Sequence, residues 1–335
     1  MKIVYDPLYG DHLRDLGHPE SPDRVEVVAA RLAQRGLAND VASPRDAQDN
    51  EIQRVHAQRY VELVKREIGD LSGPRYLTTG DVVVDARTLD VARRAAGGAI
   101  NAMELAVESN APVFALVRPP GHHAESARGM GFCVFNNAAI AARAYQALTG
   151  GRVLLIDFDY HHGNGSEDVV GEGLSYVSTH ASPAYPGTGY QSRAFGDDVL
   201  VNVPLPASGI ATEAFVAIWE RLLERVTAYV RPDLIVASAG FDYVAGDPVG
   251  DLGVDVGAAS SLGRAINATA KRYCNGRVAY VLEGGYDIDA LTESVTQVIE
   301  VSDRGETAAS GASPASIPRA QAELLRELDA RFLRA

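Results

Sequence analysis

Cysteine is nearly absent: there are two residues, Cys133 and Cys274, and no CxxC pair. That excludes a disulfide framework and a cysteine-built zinc site, and it fits a reducing cytoplasm. Lysine is also scarce, at Lys2, Lys65 and Lys271 only, so arginine supplies the rest of the 31 basic residues. These face 44 acidic residues, and the net charge of −13 disfavours direct binding of DNA or RNA. The same charge would steer a cationic substrate or partner. No apolar run approaches about 18 residues, so no membrane span is expected. The opening MKIVYDPLYG has neither a long apolar segment nor a small-residue cleavage site, so no signal peptide is expected. The serine-nucleophile pattern GxSxG, the Walker A loop and the dinucleotide pattern GxGxxG are all missing, which removes three common enzyme classes. No internal repeat is present.

What is there is an ordinary globular composition, 46% hydrophobic and 22% charged, over 335 residues. The chain is organised around residues 152–166, RVLLIDFDYHHGNGS. A short β-branched run, 153–156, reads as a buried parallel strand running on to Asp159. At its end Asp159 and His161 stand two apart, on one side of an extended chain, where a carboxylate and an imidazole can grip one divalent ion. Asp157 shares that side more deeply. Strands are also expected at 2–5, 113–117, 174–180, 199–205, 233–239 and 277–282, and helices at 23–34, 56–66, 88–108, 137–148, 212–230, 256–273 and 288–301. A short helix is expected near 165–170. This alternation predicts a single α/β domain over 1–302, with a mostly parallel central sheet and helices on both faces. A Ser/Ala/Gly/Thr-rich linker, 303–316, and a C-terminal helix, 317–335, complete the expectation.

Polar motifs follow the strands ending near 117, 156, 239 and 282, and strand C-termini are where open α/β sheets bind ligands. Three of these loops supply chemistry. Asp159, His161 and Asp242 are candidate metal ligands, and two carboxylates with one imidazole leave positions open for catalysis, on zinc or on ferrous iron. The tandem His122-His123 follows Pro-Pro-Gly on a constrained loop and suits acid/base work near neutral pH, with Asp157 and Asn164 available to orient the rings. Tyr286 follows Gly284-Gly285, where the backbone can bend close to the site, and its phenol can donate to a developing oxyanion. Phe132 and Tyr185 are candidate walls of a narrow pocket. A metal, a histidine acid/base and an oxyanion donor together describe hydrolysis of an amide or ester.

The motifs RPPGHHA, GFCVFNNAAIAA, DFDYHHGNG, AGFDYVAGDP and LEGGYD, in that order, resemble the histone deacetylase and acetylpolyamine amidohydrolase superfamily, and HHGNG with LEGGY resembles its class II branch, which includes bacterial deacetylase-like enzymes. The resemblance implies an arginase/deacetylase-like fold and a zinc-dependent deacetylase acting on linear amides. It implies zinc on Asp159, His161 and Asp242, and His123 as general base and acid. His122 would then be an electrostatic partner bonded to Asp157, Asn164 would face His123, and Tyr286 would be the oxyanion donor. Phe132 and Tyr185 would flank an acyl-lysine-sized tunnel with Gly131 and Gly285 near it, and Arg24 would line an inner channel that holds the acetate product. A structural potassium would sit on Asp157, Ser178 and carbonyls of Asp159, His161 and Thr179. Val249 stands where polyamine-selective relatives carry a gating glutamate, and residues 71–87 are too short for the insertion of bacterial polyamine enzymes, so acylated lysine or a related amine is the expected substrate. Asp81 is a rim acid for the substrate backbone or amine. The alternatives are an acetylpolyamine amidohydrolase, a two-metal ureohydrolase of the same fold and a non-catalytic acyl-ligand-binding relative. No oligomeric state is expected from the sequence.

Overall fold

The structure, a computed structural model, describes residues 1–69, 71–307 and 312–331. In chain order the elements are β1 (Lys2–Val4), α1 (Asp23–Gln34), β2 (Val41–Ala42), α2 (Asp49–Ile52), α3 (Gln58–Gly69), β3 (Arg75–Tyr76), β4 (Val83–Val84), α4 (Thr88–Ser109) and β5 (Pro112–Ala115). They continue with α5 (Asn137–Thr149), β6 (Val153–Asp157), α6 (Asn164–Glu167), β7 (Leu174–Ser182), β8 (Arg193–Phe195) and β9 (Asp198–Pro206). The last are α7 (Thr212–Val230), β10 (Leu234–Ala239), α8 (Ala258–Tyr273), β11 (Val278–Leu282), α9 (Ile288–Asp303) and α10 (Arg319–Arg331).

Nine strands form one sheet in the order β2-β1-β5-β11-β10-β6-β7-β9-β8. Every pair is parallel except the edge pair β8–β9. Helices α4 and α5 pack on one face, and α1, α9, α8 and α7 form a second layer. Coverage on both faces explains why every residue of β6, β10 and β11 is buried and why, apart from Asp157 and Ser238, all are hydrophobic. The helices end where the chain chemistry stops them. Asn136 caps α5 by accepting from the Ala139 amide, and Gly150 closes it in the left-handed region. The order β5-β11-β10-β6 places four strand ends side by side, and the loops after them meet above the sheet.

The expected helices at 23–34 and 212–230 match α1 and α7 in full. Three expectations need correction. Strand β6 stops at Asp157 rather than running to Asp159. The Asp157 carboxylate accepts from the Asp159 amide at 3.2 Å and the Asp159 carboxylate from the His161 amide at 2.8 Å, so two successive side-chain turns replace the ladder. The helix placed at 56–66 begins at Gln58, because His56 is committed to the Glu125 carbonyl and the Asn136 amide. The helix near 165–170 is one turn, Asn164–Glu167. Part of the expected linker, 308–311, and the last residues, 332–335, lie outside the described residues. Helix α10 packs on β9 and α7 through buried Leu325 and Leu328, with Gln321 donating to the Pro204 carbonyl at 3.1 Å.

Candidate active site

The loops after β5, β6, β7, β10 and β11, with the turn between β3 and β4, enclose a cavity of about 360 Å³, lined by Asp81, His123, Gly131, Phe132, His161, Tyr185, Val249 and Tyr286. Eight of the residues singled out in the sequence therefore share one hollow. His161, in its wall, belongs to an acidic cluster. One ligand atom each from Asp159, His161 and Asp242 lie within 4.8 Å of one another, and all three residues are buried.

The donor set fits a divalent cation. Asp242 Oδ1 accepts from the Tyr160 amide at 2.9 Å, but its Oδ2 is buried with no hydrogen-bond donor. The nearest imidazole nitrogen, His161 Nδ1, is 3.0 Å from that oxygen without hydrogen-bond alignment. An orphaned buried carboxylate oxygen beside a second carboxylate is costly unless a cation joins them. The charge balance says the same. Burial and then the charge of Asp159 push the Asp242 carboxyl up to about 7. Asp159 is held below the ordinary carboxylate range, because His122 and His161 outweigh its burial. His161, despite burial, is pushed up to about 10 by Asp159 and Asp242. The backbone makes room for this cluster at Gly284. A Cβ there would lie 2.6 Å from Oδ2 of both Asp159 and Asp242, and the Gly284 amide donates to Asp159 Oδ2 at 2.8 Å.

The tandem histidines stand beside the cluster with their rings 4.1 Å apart. His122 Nδ1 is 3.1 Å from Asp157 Oδ2. Burial opposes its protonation, but the carboxylates of Asp159 and Asp157 raise it to about 10. His123 Nδ1 is 2.9 Å from Asn164 Oδ1. Burial, and then the positive charges of His122 and His161, hold His123 well below the ordinary histidine range. Two adjacent imidazoles are thus pushed in opposite directions, His122 toward the cation and His123 toward the neutral ring, a division that suits acid/base chemistry.

Tyr286 closes the opposite wall. Burial raises its phenol well above the usual value, so it stays a hydrogen-bond donor. The Phe132 ring meets Tyr286 edge-on at 5.9 Å and the His18 ring at 4.7 Å, while Tyr185 meets His123 at 5.1 Å. Gly131 at φ +55 lets the loop pass over the His123 ring, which a Cβ there would overlap. Asp81 is at the rim, accepting from the Gly131 amide at 2.9 Å and the Tyr185 hydroxyl at 3.0 Å.

Gly285 and Arg24 meet beside Tyr286. Gly285 is not among the walls; its carbonyl accepts from Arg24 Nε at 2.6 Å. Arg24 is fully buried beneath Tyr286, 4.8 Å from the ring centre, and is engaged by the Glu283 carbonyl and by Glu20 Oε1 at 3.0 Å. The residues expected around potassium are neighbours, since Asp157 pairs with Ser178 in the β6–β7 register. Their side chains also have other partners: Asp157 accepts from Tyr176, Ser178 pairs with His180, and Thr179 accepts from Trp219.

Several supporting residues were not singled out in the sequence. Glu283 accepts from the Gly121 and His122 amides at 2.6 and 3.1 Å and so holds the loop that carries the tandem histidines. Asp247 accepts from the amides of Val249, Gly250, Tyr286 and Asp287, tying the loops after β10 and β11 together. Glu20 joins Arg24 to Arg118. The signals were present as the Glu of LEGGY, the Asp of GDP and the Glu of HPE, but nothing local distinguishes these acids from solvated ones.

A histone deacetylase domain model matches residues 18–302. Histone deacetylase 15 of Arabidopsis thaliana is 34% identical over 296 residues, 85% of this chain and 52% of that protein. A probable deacetylase of Archaeoglobus fulgidus is 31% identical over 297 residues, 86% of this chain and 81% of that protein. The crystal structure of the HDA15 HD domain superposes with a TM-score of 0.86 at 30% identity, over 99% of this chain and 94% of that one. The chain thus spans about half of the plant protein and most of the archaeal one.

Proposed function

The chain belongs to the histone deacetylase family, and from that premise we propose that it is a zinc-dependent amidohydrolase that removes acetyl or other acyl groups from acylated lysine or a related amine. The observation that carries this reading is the convergence of a three-ligand acidic cluster, a split histidine pair and a buried phenol on one narrow cavity. Asp159, His161 and Asp242 would hold the ion. When bound, it would acidify a water molecule and polarise the acyl carbonyl.

The protein's own groups do the rest. His123, neutral and low in pKa, takes a proton at Nε2 from the attacking water while Nδ1 stays bonded to Asn164. It then returns that proton to the departing amine. His122, kept cationic by Asp157 and Asp159, lies close enough to favour the charge that gathers on the reacting centre. Tyr286 donates its phenol hydrogen to the carbonyl oxygen as that oxygen becomes negative. Phe132 and Tyr185 exclude water from the methylene chain of the substrate, and Asp81 accepts from its backbone amide or amine at the rim. Val249 among the walls, with no carboxylate at that position, supports acyl-lysine over a polyamine. A structural potassium on Asp157, Ser178 and the carbonyls of Asp159, His161 and Thr179 belongs to the same reading.

The test is deacylation of fluorogenic acetyl-lysine beside N-acetylputrescine by protein loaded with zinc and potassium. Turnover of acetyl-lysine is expected. Tyr286→Phe is expected to lower kcat roughly 10²–10³-fold, the range seen when one oxyanion donor is removed, with little change in Tm. His123→Ala should abolish turnover. Preference for the polyamine would overturn the substrate and keep the chemistry. No turnover on acyl-lysine, acylpolyamine or ester substrates would overturn the enzyme reading.

A further inference from the structure

We propose that Glu125 is a positioning residue that fixes the tautomer of His123 through the side-chain amide of Asn164. The inference rests on the reading of His123 as the proton carrier. An asparagine amide is nearly symmetric in shape but not in chemistry. With its oxygen toward His123, it accepts from Nδ1–H and leaves a lone pair on Nε2. With its nitrogen toward His123, it donates to Nδ1 and forces the proton onto Nε2, where no base remains. Something must choose between the two.

The surroundings of Asn164 Nδ2 make that choice. It donates to Glu125 Oε1 at 2.7 Å, and its other neighbours are the His123 carbonyl at 3.4 Å and Met130 Sδ at 3.3 Å. All three only accept. An amide turned over would set its oxygen against a carboxylate and two further acceptors. Glu125 supplies the short, charge-assisted bond of the three and so dominates the choice. Glu125 is itself held on its main chain: its amide donates to the Arg128 carbonyl at 2.9 Å, and its carbonyl accepts from His56 Nδ1 at 2.9 Å. The buried His56 takes the Asn136 amide on its other nitrogen at 2.9 Å, so its own tautomer is settled. The line of bonds runs from His56 through Glu125 and Asn164 to His123.

A carboxylate at position 164 would need no such orientation, since both of its oxygens accept. The experiment is therefore a double-mutant cycle on the zinc-loaded, full-length protein, using acetyl-lysine turnover and selective ¹⁵N-histidine NMR. Glu125→Ala is expected to lower kcat about tenfold or more with KM held within about twofold, because a part of the acid/base contribution is lost and binding is not. Glu125→Gln keeps an acceptor oxygen and should recover most of that loss. In the Asn164→Asp background, Glu125→Ala should cause no further loss. NMR should report a proton on Nδ1 of His123 in the wild type, assigned against His123→Gln, and on Nε2 for a fraction of Glu125→Ala. An equal loss in both backgrounds, or an Nδ1 proton undisturbed in Glu125→Ala, would overturn the proposal. A wild type without turnover would sink the deacylase reading and leave the NMR arm to decide the role of Glu125.

Discussion

Gly284 is one residue on which the acidic cluster depends, since a Cβ there would meet both carboxylates. Its missing side chain is what allows the chain after β11 to lie against two carboxylates, each with Oδ2 at 2.6 Å from where a Cβ would stand. An alanine would push Asp159 and Asp242 apart and bend the amide that orients Asp159. Gly284→Ala is expected to weaken zinc roughly 10–100-fold, the cost typical of disturbing the groups behind metal ligands. Competition against a chromogenic chelator measures it, and zinc affinity equal to wild type would refute the steric argument. Phe132 shows the same closeness from another side. It is a non-glycine residue at φ +69, held there by edge contacts with His18 and Tyr286.

At the scale of elements, the loops are built as carefully as the strands. Asp247 accepts four amide hydrogens from the loops after β10 and β11, and one of them belongs to Tyr286. Asp247→Ala leaves those amides without an acceptor, at about 1–3 kcal/mol per buried group. A lower kcat at unchanged zinc content is the expected result, with Asp247→Asn intermediate. His56 does a parallel job ahead of α3. Burial lowers its folded pKa to about 4 from the ordinary 6.5. The folded state thus binds the proton less readily than the unfolded one. Its contribution is whole above pH 6.5, falls as pH drops from 6.5 toward 4, and amounts to about 3 kcal/mol at the limit. His12, also lowered to about 4 by burial, adds a loss of the same sign. Urea unfolding at pH 7 and pH 4.5 should show a smaller acid loss for His56→Gln than for wild type; equal losses would count against it.

Across the whole molecule, a buried ionic cluster holds the N-terminal loop to the sheet. Glu20 bonds Arg24 at 3.0 Å and Arg118 at 2.7 Å, and Arg118 also donates to the Tyr9 and His12 carbonyls. All three charged side chains are fully buried. Burial works against the Glu20 charge, but Arg118 and Arg24 hold the carboxyl below its usual range. Removing one partner leaves the others as uncompensated buried charge. Glu20→Ala is expected to cost about 3–5 kcal/mol, read by thermal or urea unfolding. Arg24 loses its charged partner in that variant and keeps only the Gly285 and Glu283 carbonyls, so Tyr286 above it should also become less well placed, and kcat should fall further than stability alone explains at a temperature where the protein is folded.

The residues that carry the chemistry were legible in the sequence because they come in short local patterns. Asp157, Asp159 and His161 are set by side-chain turns two residues long, and the tandem histidines follow a rigid Pro-Pro-Gly, so the same segments that name the groups also aim them. The alternation of strands and helices was legible for a related reason, since burial on both faces leaves β6, β10 and β11 almost wholly apolar. The start of α3 was not, because His56 is held by hydrogen bonds to the distant Glu125 carbonyl and Asn136 amide. The groups that hold the site were decided by the tertiary structure alone. Glu283 meets the His122 amide across 161 residues, Glu20 meets Arg118 across 98, and Glu125 meets Asn164 across 39. A local pattern can state that an acid is present. Only the strand order β5-β11-β10-β6, which brings separate chain segments side by side, supplies the amides and cations that such an acid is buried to meet.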